Sequence, residues 1–264
     1  MRTPLRWLLI RWTTIAVYLF MFLPIGGVIL LSFSPDQYGG LNLQGFSLQW
    51  YAELRQNDAI RAAARTSLML GAQTAIISSI LGIMASMAMM RFDFPGKNAI
   101  NTILVMPILM PEVVLGVALL LFLRWASVQR SYALLLMGHV LITLPFVILV
   151  VQARLAGLKR EYEEAARSLG ANALQTFFQI TLPLIMPAVL AGMVFAFTIS
   201  FDDITATLFW KSAGTETVPT QIFAMLRTSI SPEINALGTL MIILTVGLPL
   251  CAGLLARYFR RGRV

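Results

Sequence analysis

Long apolar runs alternate with short polar gaps along this chain, and the runs have membrane-crossing length. A helix needs about 20 mostly apolar residues to cross the roughly 30 Å hydrocarbon core of a bilayer. Six segments meet that length, at approximately 13–33, 66–90, 100–123, 132–153, 184–208 and 236–256. The pattern predicts an all-α integral membrane protein of six transmembrane helices, with 1–264 forming a single transmembrane domain. Pro24, Pro107, Pro111, Pro145, Pro187 and Pro249 lie inside the spans. Proline is tolerated there when neighbouring helices or a cavity satisfy the freed backbone groups.

Composition agrees with a lipid solvent. Hydrophobic residues make up 58% of the chain and charged residues 12%, against about 25% charged in an ordinary soluble domain. The net charge of +8 does not indicate nucleic acid, because the basic residues fill the gaps between apolar runs instead of one face. With the N-terminus in the cytoplasm, 13 of the 20 Lys and Arg fall on the cytoplasmic side and 7 outside. That bias predicts cytoplasmic N- and C-termini. Arg2, Arg6 and Arg11 precede a run longer than a signal-peptide core, with no small-residue cleavage pattern after it, so a retained first helix is expected. The loop at about 34–65 has room for a short interfacial helix around Trp50 to Leu54, although a plain amphipathic connector is the favoured reading. Cys251 is the single cysteine, which leaves no disulfide framework and no thiolate metal site. His139, the single histidine, sits in the fourth span and reads as a packing residue, as do Met89 and Met90.

The segment of about 158–183, between the fourth and fifth spans, is not an ordinary connector. A first short helix is expected through Glu161–Leu169, with Glu161, Glu163 and Glu164 at its positive end. Gly170 is placed to take a left-handed conformation after it. Asn172 is placed to cap a second short helix, and Pro183 marks the start of the fifth span. Ala165 and Ala166 leave the first helix slim enough to sit close to a partner surface. Two readings stand on these residues alone: a helix presented to a groove in a soluble partner, or an amphipathic hairpin lying on the lipid.

Glu164-Ala165-Ala166, Gly170, Ile180 and Leu182-Pro183, at their spacings, resemble the Glu-Ala-Ala loop of ABC importer permeases. The resemblance implies the type I importer permease fold, with this loop as the coupling helix that inserts into a cytosolic ABC ATPase dimer. It also implies an external substrate-binding protein, a second permease subunit that is related but different, and residence in a bacterial inner membrane. The chain has no Gly-x-x-x-x-Gly-Lys-Ser/Thr phosphate loop. No cofactor is therefore expected in this chain, and ATP and Mg belong to the partner ATPase subunits. The chain is expected to be a transport subunit and not an enzyme.

Ionisable groups inside spans are costly and count as functional candidates. Glu112 follows two prolines in the third span, and Asp202 and Asp203 lie late in the fifth. They read either as the lining of a path for a cationic substrate or as buried caps and pairs, Arg124 being one partner considered. Adjacent residues point about 100° apart on a helix, so one of the two aspartates is expected to face the path. The stretches Ser200–Ile204, Thr217–Phe223, Ser231–Leu237 and Pro111–Gly116 resemble the spermidine and putrescine branch of the permeases. That branch also serves other small organic solutes. Val218 stands where leucine is usual, the preceding Trp210–Gly214 segment departs from the pattern, and Lys211 adds a positive charge near the external mouth.

Two other classes fit the sequence less well. An intramembrane protease needs a paired nucleophile and base or two separated aspartates, whereas Asp202 and Asp203 are adjacent. An ion-driven secondary transporter is built from two related halves, and no repeat is visible.

Overall fold

The computed structural model describes residues 4–36, 45–228 and 231–261. Among these, five helices are long and apolar enough to cross a membrane, or six if one bent pair counts as a single span. They fall into two compact units, one from Met1–Arg61 with Gln221–Ile243 and one from Ala62–Thr220 with Leu244–Val264.

The first unit contains α1 (Pro4–Leu31), α2 (Gln49–Gln56) and the beginning of α12 (Pro232–Arg261). Trp12, Phe20 and Leu23 of α1 are exposed, as expected of side chains solvated by lipid. The segment around Trp50 is more than a connector. Trp50 and Leu54 of α2 are buried, the Trp50 indole donates to the Ser34 carbonyl at 2.6 Å, and the Tyr51 and Ser32 hydroxyls pair at 2.7 Å.

The second unit holds most of α3 (Asp58–Arg91), then α4 (Lys97–Val105), α5 (Glu112–Trp125) and α6 (Tyr132–Ala156). After these come α7 (Glu161–Ser168), α8 (Ala173–Thr176), α9 (Leu182–Asp202), α10 (Thr205–Trp210) and the start of α11 (Val218–Thr228). Its core lies where α3, α6 and α9 meet, around Ala75, Val147, Val151, Leu155, Ile185 and Val189. Lipid supplies no hydrophobic drive between helices, so close packing and interhelical hydrogen bonds must hold them. Both are present. Val147 sits where glycines leave room, at Gly82 of α3 and Gly192 of α9. The Ser78 and Thr143 hydroxyls pair at 2.7 Å, and the Ser86 hydroxyl donates to the Ile148 carbonyl at 3.2 Å.

Two spans differ from the helices expected of their hydropathy. The third is not one helix over 100–123. α4 gives way to a 3₁₀ turn over Met106–Leu109, and α5 starts again at Glu112 with its axis turned by 110°. Pro107 and Pro111 lack backbone donors. Met110, which precedes Pro111, is driven to extended backbone at φ −91°, ψ 135°. The fifth span starts early and stops early. α8 runs through a π turn, Phe177–Thr181, into α9 as one apolar stretch, Ala173–Asp202. It then ends at Asp202, with Asp203 extended at φ −69°, ψ 125°.

Candidate functional site

The segment after α6 forms a helical hairpin with two complete caps. α7 ends in paired backbone hydrogen bonds, Gly170 N to Arg167 O at 2.9 Å and Ala171 N to Ala166 O at 3.1 Å. Gly170 closes this Schellman turn at φ 90°, the left-handed conformation that glycine adopts without steric cost. The Asn172 side chain then accepts from Gln175 N at 2.9 Å, and the Gln175 side chain accepts from Asn172 N at 2.9 Å. This reciprocal capping box fixes the start of α8. Asn172→Ala is expected to loosen α8 by about 1 kcal/mol, read as faster amide exchange across the helix. Unchanged protection would mean that the box holds nothing.

Among the sequence candidates, Glu164 and Ala165 of α7 are exposed and Ala166 is half-buried. Gly170 is exposed, and nothing lies within 4 Å of where a Cβ would stand. Tyr162, Leu169, Leu174 and Phe178 add exposed apolar surface, with Leu169 90% exposed. Ile180 and Leu182 are half-buried, Leu182 lies against the α3–α6–α9 core, and Pro183 is exposed. The hairpin thus presents one small acidic and apolar face outward and roots its far end in the membrane core.

The second set of candidates gathers where the two broken spans meet, since α5 packs on α10. Asp203 is buried, and its carboxylate closes the first turn of α10 from one position before the N-cap residue, Ile204. Its Oδ2 accepts from Thr207 N at 2.8 Å and from the Thr207 hydroxyl at 2.7 Å, and its Oδ1 accepts from Ala206 N at 3.3 Å. His139, fully buried, faces the Ser200 hydroxyl through Nδ1 at 2.8 Å and the Thr207 hydroxyl through Nε2 at 3.0 Å. The Ser200 hydroxyl also reaches Thr74 Oγ1 at 3.3 Å, so the imidazole joins α3, α9 and α10 through one buried polar network. Asp202 and Glu112, in contrast, are exposed. Glu112 opens α5 and Asp202 closes α9, one residue before the buried Asp203. Asp203 is thus turned inward and Asp202 and Glu112 outward, with Glu112 and Asp203 at the starts of two helices that pack on each other.

Lys211, the positive charge near the external mouth, is paired with Glu216. Burial alone would raise the Glu216 carboxyl. Hydrogen bonds from Lys211 and Thr220 and the Lys211 charge outweigh it and hold the group below the ordinary range.

Two features escaped the sequence reading. Glu163 is buried, paired across the fold with Arg91, and no local pattern separates it from Glu161 and Glu164. Trp210 is fully buried against Gly138, and its indole donates to the Gly116 carbonyl at 3.0 Å. Gly138, a small residue inside an apolar span, was the available signal for a close crossing.

Residues 78–263 match the protein family described as binding-protein-dependent transport system inner membrane component. The chain is 34% identical over 247 residues to the spermidine/putrescine transport system permease protein PotC of Escherichia coli, covering 94% of this chain and 93% of that protein. It is 36% identical over 233 residues to the putrescine transport system permease protein PotI of the same organism, covering 85% and 82%. Among solved structures, a chain of a bacterial alginate ABC transporter in complex with alginate pentasaccharide-bound periplasmic protein superposes with a TM-score of 0.75. That match has 17% identity and covers 98% of this chain and 96% of the other. At that identity the likeness is one of fold.

Proposed function

The chain belongs to the family of binding-protein-dependent transport system inner membrane components, and from that membership we propose that it carries a small organic cation of the polyamine class through an ATP-driven importer. It is a membrane permease component, and catalysis is not its task. The observation that carries the substrate reading is the pair of exposed carboxylates, Glu112 and Asp202, at two helix breaks inside the apolar spans. Ionised groups at that depth are costly unless they face water, a counter-charge or a cargo. Broken helices in transporters line binding sites for the same reason, since their freed backbone groups need a polar neighbour. Lys211, the positive charge near the external mouth, is paired with Glu216. The two polyamine permeases at 34% and 36% identity support the same class of cargo.

The remaining parts follow from that reading. The α7–α8 hairpin docks in a cytosolic ABC ATPase dimer, which holds the ATP and Mg. A related but different permease chain completes the pore, an external binding protein delivers the cargo, and both termini of this chain face the cytoplasm of a bacterial inner membrane. Asp203 shapes the path from behind by holding the start of α10, while Asp202 faces the cargo.

The test is uptake by the assembled transporter in vesicles, driven by internal ATP, of labelled putrescine and spermidine against an anionic and a neutral solute. Asp202→Asn and Glu112→Gln are each expected to lower polyamine uptake about tenfold, the worth of roughly 1.4 kcal/mol, with the ATPase still bound. Uptake of the anionic solute in preference to the polyamines, or polyamine kinetics unchanged in both variants, would sink the substrate assignment.

A further inference from the structure

The hairpin is tied to the membrane helices through a buried polar joint that its outward face does not use. Glu163 lies one residue before the exposed Glu164 but faces inward, with a side chain 9% exposed against 10% for Arg91, the last residue of α3. Arg91 Nε stands 3.0 Å from Glu163 Oε2 and 3.2 Å from Oε1. The buried Thr181 hydroxyl donates to Glu163 Oε1 at 2.9 Å from the last position of the π turn that leads into α9. Next to them, Arg160 Nη2 donates to the Met90 carbonyl at 3.1 Å. One carboxylate thus takes hydrogen bonds from two different membrane helices. Arg91 Nη2 is buried with no hydrogen-bond partner among the described residues, so Glu163 is what holds that guanidinium in place.

We propose that Arg91, Glu163 and Thr181 form the joint through which a displacement of α7 is passed to α3 and α9 together, with Glu163 as its positioning residue. The proposal rests on the reading of the hairpin as the ATPase-docking segment. Charge-assisted hydrogen bonds in a dry site are short, directional and strong. If α7 moved and the membrane helices stayed, two buried charges would be left unpaired, which is far costlier than moving all three elements as one. Thr181 sits in a π turn, where a helix already departs from regular spacing and often serves function. The joint therefore grips α9 at the place best able to shift against the rest of that helix. Exposed Glu164 and Ala165 meet the driving partner, and buried Glu163 hands the motion on.

The experiment measures uptake per ATP hydrolysed in vesicles that contain the full transporter. In Glu163→Gln the side chain keeps its size and its acceptor for Thr181 but loses its charge. Uptake per ATP is expected to fall about tenfold, while the ATPase stays bound and keeps most of its hydrolysis. Arg91→Gln should show the same fall. The double variant Arg91→Gln/Glu163→Gln should be no worse than either, because residues acting as one unit are not additive. If a single variant fails to insert, the double, which leaves no charge unpaired, is read in its place. A wild-type ratio in Glu163→Gln, or in the double variant where that is read, overturns the proposal. So does a fall in uptake matched by an equal fall in hydrolysis, and so does loss of the bound ATPase, which would make Glu163 part of the docking face. The docking reading fails separately, through Gly170→Arg, whose readout is ATPase binding and not the ratio.

Discussion

Gly170→Arg is expected to leave the protein inserted in the membrane and to abolish ATP-dependent uptake, with the ATPase lost on purification. Gly170 stands at φ 90°, a conformation that costs a residue with a Cβ about 1–2 kcal/mol. That strain is small beside the stability of a folded domain, of order 5–15 kcal/mol. Nothing in this chain lies within 4 Å of the added Cβ, so the new side chain projects from the hairpin without displacing any neighbour. It does, however, occupy the space beside Glu164, Ala165 and Leu169 that a docking partner would fill. Gly170→Ala separates the two effects, since it carries the backbone strain with little bulk. It should retain most of its uptake and bind the ATPase. Co-purification of the ATPase with each variant is the measurement. A Gly170→Arg protein that holds its ATPase and transports normally would remove the hairpin from the docking role.

The contrast between Glu164 and Glu163 shows how far the sequence could be read. Gly170 and Asn172 act through local backbone geometry, which is written in consecutive residues. The left-handed Gly170 and the Asn172 cap appear in the structure where the spacing places them. Glu163 acts through Arg91, which lies at the end of another helix, and no pattern along the chain points from one to the other. The aspartates follow the same rule. Their position inside a span was legible, but Asp203 turns inward because α9 stops at Asp202 and the first turn of α10 needs an acceptor. Hydropathy reads 184–208 as continuous and cannot see that stop. It likewise sums the apolar residues on both sides of Pro111 and is blind to the 110° turn between them. The partner of Lys211, Glu216, lies across a loop whose path is set by the fold and not by local sequence.

The largest stability loss should come from Gly138. A Cβ there would stand 2.1 Å from Trp210 Cε3 and 2.3 Å from Cζ3. These are atoms of a rigid indole that is fully buried and pinned by its hydrogen bond to the Gly116 carbonyl. The ring cannot yield by a rotamer change without giving up that bond and opening the core beneath α10. Gly138→Val is therefore expected to cost roughly 3–5 kcal/mol, comparable to removing a buried aromatic side chain outright. It should also lower transport through the surviving protein, because Trp210 holds α10 and α10 holds Asp203 beside Asp202. Two other glycines calibrate the effect. At Gly82 the obstacle is a Val147 methyl at 2.6 Å, and at Gly192 the nearest atom is the same methyl at 3.3 Å. A side chain tip can move a few tenths of an ångström, so thermal midpoints of the purified alanine variants should fall in the order Gly192→Ala, Gly82→Ala, Gly138→Ala, with the last well below the others. Equal midpoints for Gly138→Ala and the unaltered protein would mean that Trp210 does not sit against α6, and with it would go the account of why α10 and its aspartate are held at the break in the fifth span.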